Sequence, residues 1–192
     1  MNTKNYYTDL FKVTEVQLQE LTGTALAHGG DYCDLYFEHT TFFNLLLKDS
    51  IVSSGGFHTD FGVGIRVLKG EKTGYAYSEN TDMRDMLGAA KAASAIASGS
   101  SATARTYLPV EDRRHDLYPM KENWRNKGAN AFLPFLNDLE KTILAKDERI
   151  VKVMIRLSDS VTDVMMYNSL GELTFDTRPM GSISVTTVFQ YN

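Results

Sequence analysis

An α+β fold, a mixed and largely antiparallel sheet with helices packed on it, is predicted by three features of the sequence. Three segments carry apolar residues at helical spacing. Between and after them, aromatic and β-branched residues alternate with polar ones in the period of half-buried strands. Short polar turns, rather than helical crossovers, join most neighbouring strands, which favours antiparallel pairing.

The elements follow in order. The polar start Met1-Asn2-Thr3-Lys4-Asn5-Tyr6-Tyr7 runs into an amphipathic segment. Thr14-Glu15-Val16-Gln17 has the spacing of a capping box, so a helix is expected from Thr14 to about His28. Val16, Leu18, Leu21, Ala25 and Leu26 form its apolar face, and Gly29-Gly30 supplies the stop. Alternation then predicts strand from Tyr32, with Leu35 and Phe37 inward and a second apolar run from Phe42 to Leu47 ending at Lys48-Asp49-Ser50. Gly55-Gly56 reads as a break, after which Val63, Ile65 and Val67 share one strand face. Lys69-Gly70-Glu71-Lys72 turns the chain into a hairpin partner, Thr73 to Tyr77.

A helix rich in alanine is expected from about Thr81-Asp82 to Gly99. Ser98 to Arg105 reads as a polar linker, and residues 99–129, with Pro109, Pro119 and a charged run, as a flexible surface excursion. Leu133 to Lys146 is helical by pattern, with Phe135, Leu136, Leu139, Ile143 and Leu144 inward and Pro134 in the first turn. Strands close the chain. Val151, Val153, Ile155 and Leu157 alternate, a similar pattern covers Val161 to Asn168, and Ser169-Leu170-Gly171-Glu172 turns. Leu173, Phe175 and Thr177 line one further strand, and Ile183, Val185, Thr187, Phe189 and Tyr191 another. The length of 192 residues fits one domain spanning residues 1–192.

Composition narrows the function. A hydrophobic content of 43% with 23% charged residues is that of a globular chain. The net charge of -4 argues against direct nucleic-acid binding, which needs clustered basic residues. Cys33 is the sole cysteine, so no internal disulfide forms. No export signal and no apolar run of the roughly 20 residues a membrane span needs is visible, and a cytoplasmic location is expected.

Tempting chemistry fails on inspection. Gly62-Val63-Gly64-Ile65-Arg66-Val67 lacks the third glycine of a dinucleotide fingerprint and lies within a strand. Gly70-Glu71-Lys72-Thr73 imitates a phosphate loop, but Glu71 would repel phosphate, and the segment reads as a hairpin turn. His28, His39, His58 and His115 are scattered, and His58-Thr59-Asp60 offers at most two metal ligands. Cys33, flanked by Asp31 and Asp34, reads as a strand residue rather than a nucleophile. Gly181-Ser182-Ile183-Ser184 is no nucleophile elbow. Met83, Met86, Met165 and Met166 read as core filler. No catalytic, cofactor-binding or metal-ligating residue is assigned.

Two stretches carry more information than any of these: Gly30-Asp31-Tyr32-Cys33-Asp34-Leu35-Tyr36-Phe37-Glu38, and Gly62 through the Gly74-Tyr75-Ala76-Tyr77-Ser78 segment. Together they resemble the amino-terminal half of the TldD/PmbA family, with the Gly-Tyr-Ala-Tyr wording on the TldD side. The alanine-rich helix and an Asp176-Thr177-Arg178-Pro179 turn fall where that pattern puts them. Family members are known as modulators of DNA gyrase and as metalloproteases that mature or degrade peptides. The resemblance implies a zinc site, with a His-Glu-x-x-x-His motif, in a carboxy-terminal half. This sequence contains no such motif, so the metalloprotease domain and its zinc are expected outside it.

The resemblance therefore implies the amino-terminal domain of a TldD-like zinc metallopeptidase, not catalytic alone. Its expected roles are scaffold, interface for a PmbA/TldE-like partner subunit or for self-association, and guide for unfolded peptide along an exposed sheet edge. The alternative is a stand-alone, non-enzymatic peptide- or protein-binding module. A chain ending on the apolar strand Ile183 to Tyr191 leaves an edge that natural domains usually cover, which favours a truncated chain over a complete protein.

Overall fold

The computed structural model describes residues 3–96, 109–114 and 118–191. In chain order the elements are α1 (Lys4–Phe11), α2 (Glu15–Ala25), β1 (Tyr32–Lys48), β2 (Ile51–Lys69), β3 (Lys72–Ser78), α3 (Met83–Ile96), β4 (Glu111–Arg114), a 3-10 turn (Trp124–Asn126), α4 (Ala129–Leu144), β5 (Ile150–Asn168) and β6 (Glu172–Phe189). The strands form a mixed sheet in the order β3-β2-β1-β5-β6-β4. β3 runs antiparallel to β2, and β4 runs parallel to β6. The α+β expectation is met.

The chain divides into two compact units. The first comprises Met1–His39, Asp60–Pro119 and Thr162–Arg178; the second comprises Thr40–Thr59, Met120–Val161 and Pro179–Asn192. β1, β2, β5 and β6, each 17 to 19 residues long, contribute residues to both.

In the first unit, Leu18, Leu21, Ala25, Met86, Ala90 and Ala93 bring α2 and α3 onto Cys33, Leu35, Phe37, Val63, Ile65 and Val67. Phe11, at the end of α1, is fully buried with its ring 5.4 Å from Phe37 and 5.7 Å from Phe61. The capping box at Thr14 and Gln17 forms as expected, and α2 starts where the sequence places it. Val16 departs from the reading: it is exposed, on the far side of the helix from Leu18 and Leu21. α3 begins after Asp82, whose carbonyl accepts from the Asp85 and Met86 amides. The hairpin from Lys69 to Lys72 is confirmed, with Gly70 at φ +53, a conformation that favours glycine.

The second unit packs α4 against β1 and β5 through Leu136, Phe43, Leu45, Leu47, Val153, Ile155 and Leu157. Glu140 on α4 is buried, 2% exposed, and accepts from the Ser50 amide at 3.0 Å and the Ser50 hydroxyl at 2.6 Å. Those bonds hold the β1–β2 turn, where Asp49 and Ser50 both adopt positive φ.

Several expectations need correction. Gly55-Gly56 does not break the chain; β2 runs through it, and Leu45 reaches to 3.0 Å from where a Gly55 Cβ would stand. Asp176 to Pro179 is not a turn, because β6 continues through it as an edge strand, where a proline lacking its N–H is tolerated. α4 starts a turn early, at Ala129, so Pro134 lies in its second turn and removes the N–H that would bond the Asn130 carbonyl. Phe135 and Leu144 are exposed rather than inward. The linker at Ser98 to Arg105 lies outside the described residues. The excursion at 99–129 does so in part, and its described portion contains β4 and the 3-10 turn.

Replacing Glu140 by alanine removes both acceptors that fix the Ser50 amide and hydroxyl, two hydrogen bonds at roughly 0.5–1.5 kcal/mol each, and is expected to cost about 1–3 kcal/mol. Urea unfolding curves of Glu140→Ala and wild type measure it; a change under about 0.5 kcal/mol, the scale of ordinary surface substitutions, would refute the turn-holding role.

Candidate functional site

The uncovered margin of the second unit is the feature with most chemical content. Among the described residues β4 pairs with β6 from Glu172 to Phe175. Among the described residues no strand pairs with the outer edge of β6 from Pro179 to Phe189. An edge strand presents a row of main-chain donors and acceptors to any extended chain that approaches it. Met180, Ile183, Val185, Val188 and Phe189 are exposed along it.

Beside this edge lies a cavity of about 400 Å³ lined by Trp124, Lys127, Phe132, Leu157, Asp159 and Ile183, with Gly181 and Ser182 at its margin. Each wall has a structural origin. The Asn123 side chain accepts from the Arg125 amide and starts the 3-10 turn that carries Trp124. Trp124 lies along β6 at Gly181, its ring 3.5 Å from where a Cβ would be. Phe132 comes from the first turn of α4 and is anchored by Phe43, ring to ring at 5.6 Å. Lys127 pairs with Glu122. Burial raises the Asp159 carboxyl above its ordinary value. A carboxylate partly stripped of water is stabilised by a ligand that brings N–H donors.

The residues weighed from sequence are placed as follows. His28 Nδ1 lies 2.9 Å from the Ser94 hydroxyl, and His58 stacks on Phe42 at 4.2 Å. His115 lies outside the described residues. Cys33 is buried and its amide donates to the Ser169 hydroxyl. The Gly62 to Val67 stretch lies within β2, and Gly70 to Lys72 forms the hairpin turn. Met86 and Met165 are core, whereas Met166 is exposed.

His39 sits in a polar cluster that sequence reading missed. Asp163, fully buried, accepts from Tyr6 at 2.9 Å and from Thr177 at 2.7 Å, and Tyr7 shares a 2.7 Å hydrogen bond with Thr177. His39 Nδ1 is 3.6 Å from Asp163, beyond hydrogen-bond reach, and its ring meets Phe61 edge-on at 5.9 Å. A zinc ion does not fit: one imidazole and one carboxylate are too few ligands, and the remaining neighbours are hydroxyls and an aromatic ring. Among the described residues no group of three or more His, Cys, Asp and Glu could hold a metal ion. Trp124, Lys127 and Asp159 were equally hard to find; the only sequence signal was the polar break Ser158-Asp159-Ser160 in the alternation of β5.

Comparison with known proteins covers both halves of the chain. Residues 33–97 match the model for PmbA/TldA metallopeptidase domain 1, and residues 122–191 match the PmbA/TldA metallopeptidase central domain. The metalloprotease TldD homolog of Haemophilus influenzae is 30% identical over 167 residues, 84% of this chain and 34% of that protein. The homolog of the Buchnera aphidicola symbiont of Acyrthosiphon pisum is 28% identical over 181 residues, 91% and 35% of the respective chains. The chain thus spans about a third of the length of these relatives. Among crystal structures, a Thermotoga maritima protein named as a candidate modulator of a DNA gyrase superposes with a TM-score of 0.68 at 18% identity, covering 92% of this chain and 40% of that one. TldE from Thermococcus kodakarensis superposes at 0.64 and 13% identity, covering 91% and 40%. At those identities the structures show a shared fold. No helix among the described residues is long and apolar enough to cross a membrane.

The Asp159 shift has a checkable sign. Its carboxyl is raised, so the folded state holds the proton more tightly than the unfolded chain, and ionisation at neutral pH costs stability. Asp159→Asn is therefore expected to melt above wild type at pH 7. The gap should close as pH falls through the raised value to the ordinary 3.8, and a gap independent of pH in calorimetry would refute the assignment.

Proposed function

We propose a function from one premise: the chain belongs to the PmbA/TldD metallopeptidase family, whose first and central domain models both match it. On that premise it is the amino-terminal region of a TldD-like zinc metallopeptidase that matures or degrades peptides. It contributes scaffold, subunit surface and a guide for unfolded substrate. The peptide-cleaving step is assigned to none of its described residues, because none of their clusters could hold the zinc.

The observation that carries the guide role is the outer edge of β6 from Pro179 to Phe189 with the Trp124 cavity beside it. An extended peptide adds to such an edge by main-chain hydrogen bonds, whatever its sequence, and the cavity receives an apolar side chain from it. This pairing suits an unfolded polypeptide, which brings the donors and acceptors in the right spacing. A folded protein does so only where it offers an edge strand of its own.

A partner subunit is the second reading of the same surface. Met180, Ile183, Val185 and Phe189 are apolar and exposed along a single edge strand, which favours a strand contributed by another chain, of TldE type or a second copy.

Titration with an unstructured peptide is expected to protect the amides of residues 179–189 in hydrogen exchange. The same peptide N-methylated at alternate residues should bind at least roughly tenfold more weakly, since it cannot complete the ladder. Gly181→Leu, which projects into the cavity without striking the backbone, should weaken the unmodified peptide alone. Protection of other strands with β6 unchanged would remove the guide role, and sedimentation showing dimers whose β6 amides are already protected would favour the partner reading.

A further inference from the structure

The Gly-Tyr-Ala-Tyr segment is not absorbed by the proposed role, and it builds a second site in the first unit. Gly64 on β2 faces Tyr77 on β3, and Arg66 faces Tyr75. Tyr75 leans diagonally so that its hydroxyl lies 2.7 Å and its ring carbons 3.1–3.2 Å from where a Gly64 Cβ would stand. Only glycine leaves room for the ring there. Tyr36 on β1 completes the surround, giving a groove of about 250 Å³ with a glycine floor and three phenol walls. Tyr75 and Tyr77 remain 57% and 67% exposed.

Glu38, Asp60 and Glu79 also line this groove, and no lysine, arginine or histidine does. Two nearby cations are engaged by their own carboxylates: Arg66 donates to both oxygens of Asp34, at 3.0 Å through Nε, and Arg178 Nε donates to Asp176 at 3.1 Å. Burial, and then the charge of Glu38, raise the Tyr36 hydroxyl, so the ring stays neutral with its electron-rich face intact. Aromatic faces beside carboxylates attract organic cations. Phosphate and other anions are repelled. A bare divalent ion is disfavoured, since the carboxylates form no metal-binding group.

We infer that the groove between Tyr36, Tyr75 and Tyr77 is a binding site for a basic side chain, arginine or lysine, presented by another polypeptide. The alkyl stem of such a side chain lies along the phenol rings while its charged head meets Glu38, Asp60 and Glu79. The inference rests on different strands from the proposed edge of β6 and stands whether or not that edge binds peptide.

The test uses the full chain and a blocked tripeptide, acetyl-Gly-Arg-Gly-amide, followed by the ring resonances of Tyr75 and Tyr77. The arginine peptide is expected to shift them saturably, more weakly at high salt. Its citrulline counterpart, of the same shape without the charge, should bind roughly fivefold or more weakly. Tyr77→Leu and Glu79→Gln should each weaken binding severalfold while leaving the melting temperature unchanged, as both positions are exposed. Lys72→Gln, outside the groove, should leave affinity as in wild type. Equal shifts by the arginine and citrulline peptides, no shift by either, or wild-type affinity in both groove variants would overturn the assignment.

Discussion

The period-two alternation of four very long strands is the constraint on which everything else depends. A strand of 17 to 19 residues is about three times the usual length, and a one-residue slip anywhere along it would carry every later side chain to the wrong face. In β1 and β5 the apolar core residues keep one parity from end to end. On β1 the odd-numbered residues Cys33, Leu35 and Phe37 enter one core cluster, and the odd-numbered Phe43, Leu45 and Leu47 enter the other. β5 keeps the same parity, from Val153, Ile155 and Leu157 to Met165 and Tyr167. Where apolar residues give out at these positions, the strands carry His39 and Asp163, and burying Asp163 requires the hydroxyls of Tyr6 and Thr177.

That parity also determines what the even-numbered positions can do. In the first unit those of β1 and β2 present Tyr36, Gly64 and Arg66 away from the core cluster. In the second unit the narrower sheet matters more. β3 reaches only Val63 to Lys69 on β2, and β4 only Glu172 to Phe175 on β6, so four strands remain with both outer edges unpaired by described strands. The open β6 edge is a consequence of strand length, whereas the tyrosine groove depends on Gly64 and the tyrosines around it.

Charge divides the two surfaces by ligand. In the proposed roles the tyrosine groove, with three carboxylates, selects cations, and the β6 margin, with mostly exposed apolar side chains and main chain, discriminates by shape and backbone pairing. In a family whose members act on peptides, the first would read a side chain and the second would not, so sequence preference and sequence tolerance would reside on separate elements of one sheet.

By itself the sequence determined what is local. The capping box at Thr14, the hairpin at Gly70, the alternation in β1 and β5 and the α+β class were legible because each depends on neighbours within a few residues. Family membership was legible for the same reason, in two contiguous stretches of strand. Tertiary structure decided the rest. Whether Gly55-Gly56 and Pro179 end a strand depends on what lies beside them: Leu45 fills the space over one, and an edge position excuses the other. The start of α4, the burial of Glu140 and of Asp163, and the convergence of Trp124, Asp159 and Ile183 on one cavity all join residues dozens of positions apart. Strand order determines such meetings, and strand order is a property of which edges pair, for which no single stretch of sequence holds both partners.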